Sequence, residues 1–139
     1  MSQGTDGQGP AGRLGLSAGQ VVLELGVDAD VDETLRTSIA AITGQALVDD
    51  SYSDVVDVVV VWWRDGDGDL TDTLVDALTF LVDGGVVWMF TPKAGRPGHV
   101  EPYDIAEASV GAGLSQTSSI SAASEWSGTR LVTPKSARH

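Results

Sequence analysis

The chain has 139 residues, no cysteine, and a formal net charge of −12 at pH 7 that arises from 20 acidic and 8 basic side chains. This length fits a single domain, and the absence of cysteine excludes disulfides, thiol nucleophiles and thiolate metal sites. The negative charge repels phosphate backbones and anionic bilayers, so neither a nucleic acid nor a membrane is a predicted partner.

The first segment of the chain is predicted to be a flexible arm. Residues 1–12 are rich in glycine and carry no large apolar side chain after Met1, so they cannot bury enough surface to become ordered. The arm lacks the cationic start of an export signal, and no apolar run approaches the about 18 to 20 residues of a membrane span. We therefore predict a cytoplasmic protein with one domain over residues 13–135 and a disordered tail over residues 136–139.

A strand and a helix are predicted next. Residues 20–25, QVVLEL, form a short apolar run closed by Gly26, as in a buried strand. The apolar side chains of residues 30–42 recur at spacings typical of an amphipathic helix, and Gly44 is its stop signal. Residues 45–50, QALVDD, predict a short edge strand.

The rest of the chain predicts two more strand and helix pairs and a terminal hairpin. The apolar run 55–63 is typical of a parallel strand covered on both faces, and the leucines from Leu70 to Leu81 repeat at helical spacing up to a stop at Asp83–Gly85. Residues 86–90 predict a strand, residues 101–110 a helix, and residues 117–122 with 129–133 a β-hairpin. The predicted fold class is α/β, a three-layer Rossmann-like domain with a mostly parallel sheet and a C-terminal β-hairpin.

The carboxyl ends of the predicted parallel strands mark the place for a ligand or a partner. In open α/β sheets, ligands bind outside these ends, where the strand order reverses. Trp126, in the predicted hairpin loop, is expected to be an exposed anchor, whereas Trp62 and Trp63 should point to opposite faces of one strand. The predicted cleft consists of Gly26, Asp28, Arg64, Asp65, Lys93, Arg96 and Trp126.

Two loops at this edge carry clustered charges. Asp65, Asp67 and Asp69 are candidate cation ligands, but they do not form an EF-hand because the sixth position of the loop is not glycine. We prefer the interpretation that Asp69 caps the following helix. Lys93 and Arg96 either hold an anionic group or neutralise nearby aspartates. The sequence contains no nucleophile elbow and no phosphate-binding loop, so no catalytic residue and no metal are predicted.

Three stretches of the sequence together resemble domain-of-unknown-function family 3052, a group of short acidic actinobacterial proteins. They are LVDDSYSDVVDVVVVWWRDGDGDLTD, TPKAGRPGHVEPYDIAEA and SEWSGTRLV, and the resemblance covers about residues 13–135. The order of elements is also similar to a truncated class I methyltransferase sheet, in which a strand such as VVLELG carries the cofactor motif. Here Gly26 is followed by Val-Asp-Ala-Asp instead of further glycines, so no cofactor is predicted.

Two functions are compatible with these features. The first is a non-catalytic Rossmann-like module that binds another protein or a second copy of the chain, since the cofactor glycines and nucleophile motifs are missing and the chain is acidic. The alternative is a small-molecule binder or enzyme. It would hold a nucleotide or an S-adenosylmethionine-like ligand in the cleft between Gly26–Asp28, Arg64–Asp69 and Lys93.

Overall fold

The computed structural model describes residues 9–133, so residues 1–8 of the predicted arm and the predicted tail lie outside the described residues. Within this range a short 3₁₀ helix, Gly9–Arg13, precedes five strands and three α-helices. The strands are β1 (Val22–Leu25), β2 (Val56–Trp62), β3 (Leu81–Pro92), β4 (Ser115–Ser121) and β5 (Trp126–Val132). The helices are α1 (Glu33–Thr43), α2 (Leu70–Phe80) and α3 (Pro102–Gly111).

The strands form one mixed sheet in the order β1-β2-β3-β5-β4. β1, β2 and β3 are parallel, and β5 is antiparallel to both β3 and β4. The predicted edge strand is reduced to a single parallel bridge between Val48 and Leu23, on the side of β1 that faces away from β2. The predicted α/β fold, with a mostly parallel sheet and a C-terminal hairpin, is therefore confirmed.

The helices cover the two faces of the sheet. Leu35 and Ile39 of α1 pack with Trp62 on one face, whereas Leu74 of α2 and Ile105 of α3 pack in the cluster on the other face. After α1 the chain passes outside β1, at Val48, before it crosses to β2. The strand order thus reverses beside β1, and the later helices lie on the opposite face. No helix within residues 9–133 is long and apolar enough to span a bilayer.

Helix starts follow the sequence prediction closely. The side chain of Asp32 accepts a hydrogen bond from the backbone N–H of Leu35 at 2.8 Å, and Asp69 accepts one from Asp72 at 3.0 Å. Each carboxylate satisfies a donor that would otherwise be free in the first turn. The prediction that Asp69 caps α2 is confirmed.

Two predicted boundaries differ from the structure. Leu81 continues the leucine spacing of α2, but its backbone is extended and it pairs with Val56, so Leu81 and Val82 belong to β3. Pairing with the first residue of β2 outweighs the helical pattern there. At the other end of the chain, Ala11 lies in the predicted arm but is fully buried, and its N–H donates to Ser38 Oγ at 3.0 Å. The domain therefore includes the residues of the 3₁₀ helix, Gly9–Arg13.

Candidate functional site

The carboxyl ends of β1 and β2 meet in a narrow crevice, at the position where the strand order reverses. Gly26 follows β1 with φ +78°, and a Cβ built on it would lie 2.2 Å from the carbonyl oxygen of Trp62. Only glycine combines this dihedral angle with so close an approach. The space that Gly26 provides is taken by the backbone of β2.

The side chain of Arg64 lines the crevice above this contact, where a space of about 310 Å³ remains. Its Nη1 donates to the carbonyl oxygens of Gly26 and Trp62, at 3.0 and 3.2 Å, and to Asp67 Oδ2 at 3.1 Å. Its Nη2 and Nε donate to the two carboxylate oxygens of Asp30, at 2.6 and 2.9 Å. Bidentate pairing of this kind fixes both the position and the plane of a guanidinium. Arg64 therefore ties together the ends of β1 and β2 and the loop before α1.

Trp126 packs against Arg64 from the hairpin side. Its indole ring centroid lies 5.4 Å from the Arg64 guanidinium carbon, and its Nε1 donates to the carbonyl oxygen of Asp30 at 3.3 Å. The ring also packs edge-on against Trp62, with centroids 5.0 Å apart. The prediction of an exposed loop anchor was wrong, because Trp126 begins β5, pairs with Pro92 and is only 3% exposed.

The ion pair between Arg64 and Asp30 changes the protonation equilibrium of both groups. The hydrogen bond from Arg64 lowers the pKa of Asp30 below its ordinary value of 3.8, and the same bond raises the pKa of Arg64. A lowered folded-state pKa means that the Asp30 carboxylate stabilises the fold only while it is ionised.

Arg64→Met is expected to destabilise the domain at pH 7 by about 1 to 3 kcal/mol, because hydrogen bonds to charged partners are lost. The part of this stabilisation that depends on the Asp30 carboxylate is present above pH ~4. It disappears as the pH falls through the folded-state pKa of Asp30. Urea unfolding from neutral to acidic pH should therefore show the native and Arg64→Met stabilities drawing closer in acid. Asp30→Asn is the matched control, and its stability should also draw closer to that of the native protein as the pH falls. A constant difference at every pH would contradict this role of the pair.

The other predicted cleft residues divide into two groups. Asp28 lines the crevice with Gly26 and Arg64. Lys93 and Arg96 lie against the hairpin instead, where Lys93 Nζ donates to Ser121 Oγ at 2.6 Å and Arg96 pairs with Glu125. Asp65 is exposed, and its backbone N–H donates to Gly98. The structure therefore brings together Gly26, Asp28, Arg64 and Trp126. The other three predicted cleft residues lie outside this crevice: Lys93, Arg96 and Asp65.

The aspartate loop does not act as one cluster. Asp67 binds Arg64 and Asp69 caps α2, so their carboxylates serve separate purposes. Across residues 9–133, no three acidic or histidine side chains converge as metal ligands.

Sequence reasoning missed a second ion pair, on the same side of β1 as α1, in which the carboxylate is buried. Arg36 Nε and Nη2 donate to the two oxygens of Glu24, each at 2.7 Å, and Trp62 Nε1 donates to Glu24 Oε2 at 3.1 Å. The hydrogen bond to Glu24 raises the pKa of Arg36. The signal for this pair was Glu24 itself, a single acid within an apolar strand, since a buried carboxylate requires a partner.

A family model described as "Protein of unknown function (DUF3052)" matches residues 11–135. The chain belongs to this family. It is 50% identical over 126 residues to Uncharacterized protein Rv2239c of Mycobacterium tuberculosis strain H37Rv, a match that covers 91% of this chain and 79% of the relative. Uncharacterized protein Mb2263c of Mycobacterium bovis matches with the same identity and coverage.

Solved methyltransferase structures share the fold of this DUF3052 chain. The CcbJ methyltransferase from Streptomyces caelestis superimposes with a TM-score of 0.60 and 14% identity, over 96% of this chain and 97% of that chain. The TehB-like SAM-dependent methyltransferase from Corynebacterium glutamicum gives a TM-score of 0.52 and 14% identity, over 86% and 83% of the two chains. At this level of identity the likeness shows the fold alone.

Proposed function

We propose that this DUF3052 protein is a non-catalytic Rossmann-like module that binds a basic protein partner through an acidic surface on its helices. The observation that carries the proposal is the α2–α3 surface, which combines exposed apolar side chains with unpaired carboxylates. It consists of Tyr103 and Val110 of α3, Val75 of α2, and the acids Asp72, Asp76, Asp104 and Glu107.

The apolar part of the α2–α3 surface is unusually exposed. Tyr103 is 72% exposed and Val110 is 75% exposed, although α3 buries Ile105 and Ala108 on its inner side. Residues seven apart lie on one face of a helix, two turns from each other, so Tyr103 and Val110 form one stripe. Exposed aromatic side chains of this kind act as anchors in protein interfaces.

The charges around this stripe are all of one sign. Neither α2 nor α3 contains a lysine, arginine or histidine, and their four acids form no ion pair with any residue between positions 9 and 133. Elsewhere acids are neutralised, as Glu24 is by Arg36 and Asp30 is by Arg64. A second copy of the same surface would oppose like charges, whereas a partner rich in lysine and arginine would complement them.

The crevice at the strand ends supports a non-catalytic function. In this fold it is the expected ligand site, and a space of about 310 Å³ remains there, but the Arg64 guanidinium on its wall is held by partners from the chain itself. A ligand that needs this guanidinium would have to compete with the five hydrogen bonds that Arg64 donates. We therefore assign a structural role to the Arg64 contacts and binding to the helical surface.

Tyr103→Ser/Val110→Ser should abolish partner binding while leaving the fold intact, because loss of an aromatic anchor weakens an interface by about 30-fold or more. Native and variant proteins can be used to capture partners from a mycobacterial lysate, and the captured proteins then measured against each variant by calorimetry. Val55→Ser is the matched control, because Val55 is also exposed, at 52%, but lies outside this surface. The proposal predicts a basic partner whose affinity falls as salt is added. The double substitution should also lower the affinity, whereas Val55→Ser should leave it unchanged. Equal capture by all three proteins would overturn it.

A second candidate is nucleoside-type ligand binding, and a separate cavity favours it. A space of about 400 Å³ lies on the outer side of β1 and is lined by Glu24, Gly26, Arg36, Asp49 and Asp50. In dinucleotide-binding folds an acid about 20 residues beyond the first strand binds ribose hydroxyls, and Asp49 stands in a comparable place. Calorimetry with S-adenosylmethionine and adenosine tests this candidate directly. Saturable binding lost in Asp49→Asn would favour it over the protein-binding function, and an absence of heat would remove it.

A further inference from the structure

A cavity of about 330 Å³ lies between the antiparallel end of the sheet and the N-terminal end of α3. Its floor carries two rows of hydroxyl groups on one face of the sheet. Thr91, Ser127 and Ser121 are paired across three neighbouring strands, and Thr129 and Ser119 are paired across two. The volume is within the range of roughly 300 to 1,000 Å³ that is typical of small-molecule sites.

The hydroxyls of Thr91 and Thr129 open into the cavity and have no partner within the described part of the chain. The two residues are 2% and 4% exposed, and neither side chain forms a hydrogen bond with any residue in the described range. A hydroxyl that opens into a cavity can donate one hydrogen bond and accept others, and valine has the same shape without this capacity. Met89 and Leu131, the next residues on the same face of β3 and β5, are apolar and packed in the core. The threonines are therefore placed to serve a bound molecule.

A positive charge lies beside the cavity, next to Ser121 on its wall. Lys93 Nζ donates to Ser121 Oγ at 2.6 Å, and Lys93 forms no ion pair with the described carboxylates. His99 also lines the cavity, and its Nδ1 lies 2.9 Å from the carbonyl oxygen of Pro92. A carbonyl only accepts, so Nδ1 carries the proton and donates it. In a protein with a net charge of −12, an ammonium group without a carboxylate partner is available to pair with an anion.

We infer that this cavity binds a small polyhydroxylated carboxylate. Its carboxylate pairs with Lys93, and its hydroxyls exchange hydrogen bonds with Thr91, Thr129 and the serines between them. Hydroxyl groups donate and accept in turn, so two rows of them suit a ligand that carries several hydroxyls. The inference about this cavity does not rest on the proposed binding of a partner at the α2–α3 surface.

The test is a titration with D-gluconate, followed by the backbone amide signals of the full chain in NMR. Sorbitol, which has the hydroxyls without the charge, and hexanoate, which has the charge without the hydroxyls, are the comparison probes. Saturable shifts at Thr91, Ser127 and Thr129 that are strongest with gluconate support the inference. No saturable shift with gluconate, or equal affinity for hexanoate, would overturn it.

Thr129→Val should weaken gluconate binding by tenfold or more and leave the unliganded protein as stable as the native chain or slightly more stable. The Thr129 hydroxyl has no hydrogen bond within the described part of the chain, so its removal costs the fold no hydrogen bond but deletes a ligand contact. Lys93→Met should lose the preference for gluconate over sorbitol. A Thr129→Val protein that unfolds at clearly lower urea concentration would show that the hydroxyl serves the fold, and would refute the site.

Discussion

Gly26→Ala is expected to lower the free energy of unfolding by at least about 3 kcal/mol, which is a large part of the roughly 5 to 15 kcal/mol that holds a domain together. A left-handed backbone costs an alanine about 1 to 2 kcal/mol. The remainder arises because the new Cβ would lie 2.2 Å from the Trp62 carbonyl oxygen. That oxygen belongs to the backbone at the end of β2 and accepts a hydrogen bond from Arg64. It cannot move away without loss of this hydrogen bond and displacement of the strand end.

Gly19→Ala is the matched control for this substitution. Gly19 has a similar positive φ, +90°, but a Cβ at that position meets nothing within 4 Å. It should therefore lose only the backbone term, about 1 to 2 kcal/mol. Urea unfolding of the two variants and the native protein separates the close approach from the dihedral angle. Equal losses in both variants would show that β1 and β2 do not meet as closely as the structure indicates.

The role of Gly26 shows which features of this fold could be predicted from sequence. A glycine after an apolar strand marks the end of β1 because the signal is local, and the same is true of Asp69 at the start of α2. What lies opposite Gly26 depends on the register between β1 and β2, which pairs Leu25 with Val61. Register is fixed by contacts between residues far apart in the chain, so the sequence predicted Gly26 at the cleft, where it lies, but not its close approach to the carbonyl oxygen of Trp62.

In the candidate sites, too, local features could be predicted from the sequence and contacts between distant residues could not. Arg64 follows an apolar strand, so its position at the sheet edge was predictable. Its reach to Asp30, 34 residues away, was not. Trp126 was assigned to a loop because Ser, Gly and Glu surround it, yet pairing with Pro92 draws it into β5. The cavity floor was missed because serine and threonine in a hairpin are usually solvated, and only the position of α3 encloses them.

Arg36→Met is expected to destabilise the domain by about 3 kcal/mol, because removal of one partner leaves a buried charge uncompensated. The side chain of Glu24 is only 5% exposed, and Arg36 supplies two of its hydrogen bonds, each 2.7 Å long. Methionine keeps the apolar stem of Arg36, so the loss reports on the guanidinium. The third donor, Trp62 Nε1 at 3.1 Å, is neutral and cannot balance a carboxylate alone.

A second substitution should restore most of this loss, which distinguishes a buried charge from lost packing. Glu24→Gln added to Arg36→Met removes the charge and keeps an oxygen that accepts from Trp62, so the double variant should be more stable than Arg36→Met alone by about 2 kcal/mol. Arg36 also pairs with Glu33, whose side chain is 71% exposed, and Glu33→Gln in the same background is the control that should restore nothing. Chemical unfolding of the native protein and these three variants gives the comparison. If Glu24→Gln fails to rescue Arg36→Met, the guanidinium acts on the fold by packing, and Glu24 is solvated in the cavity beside β1.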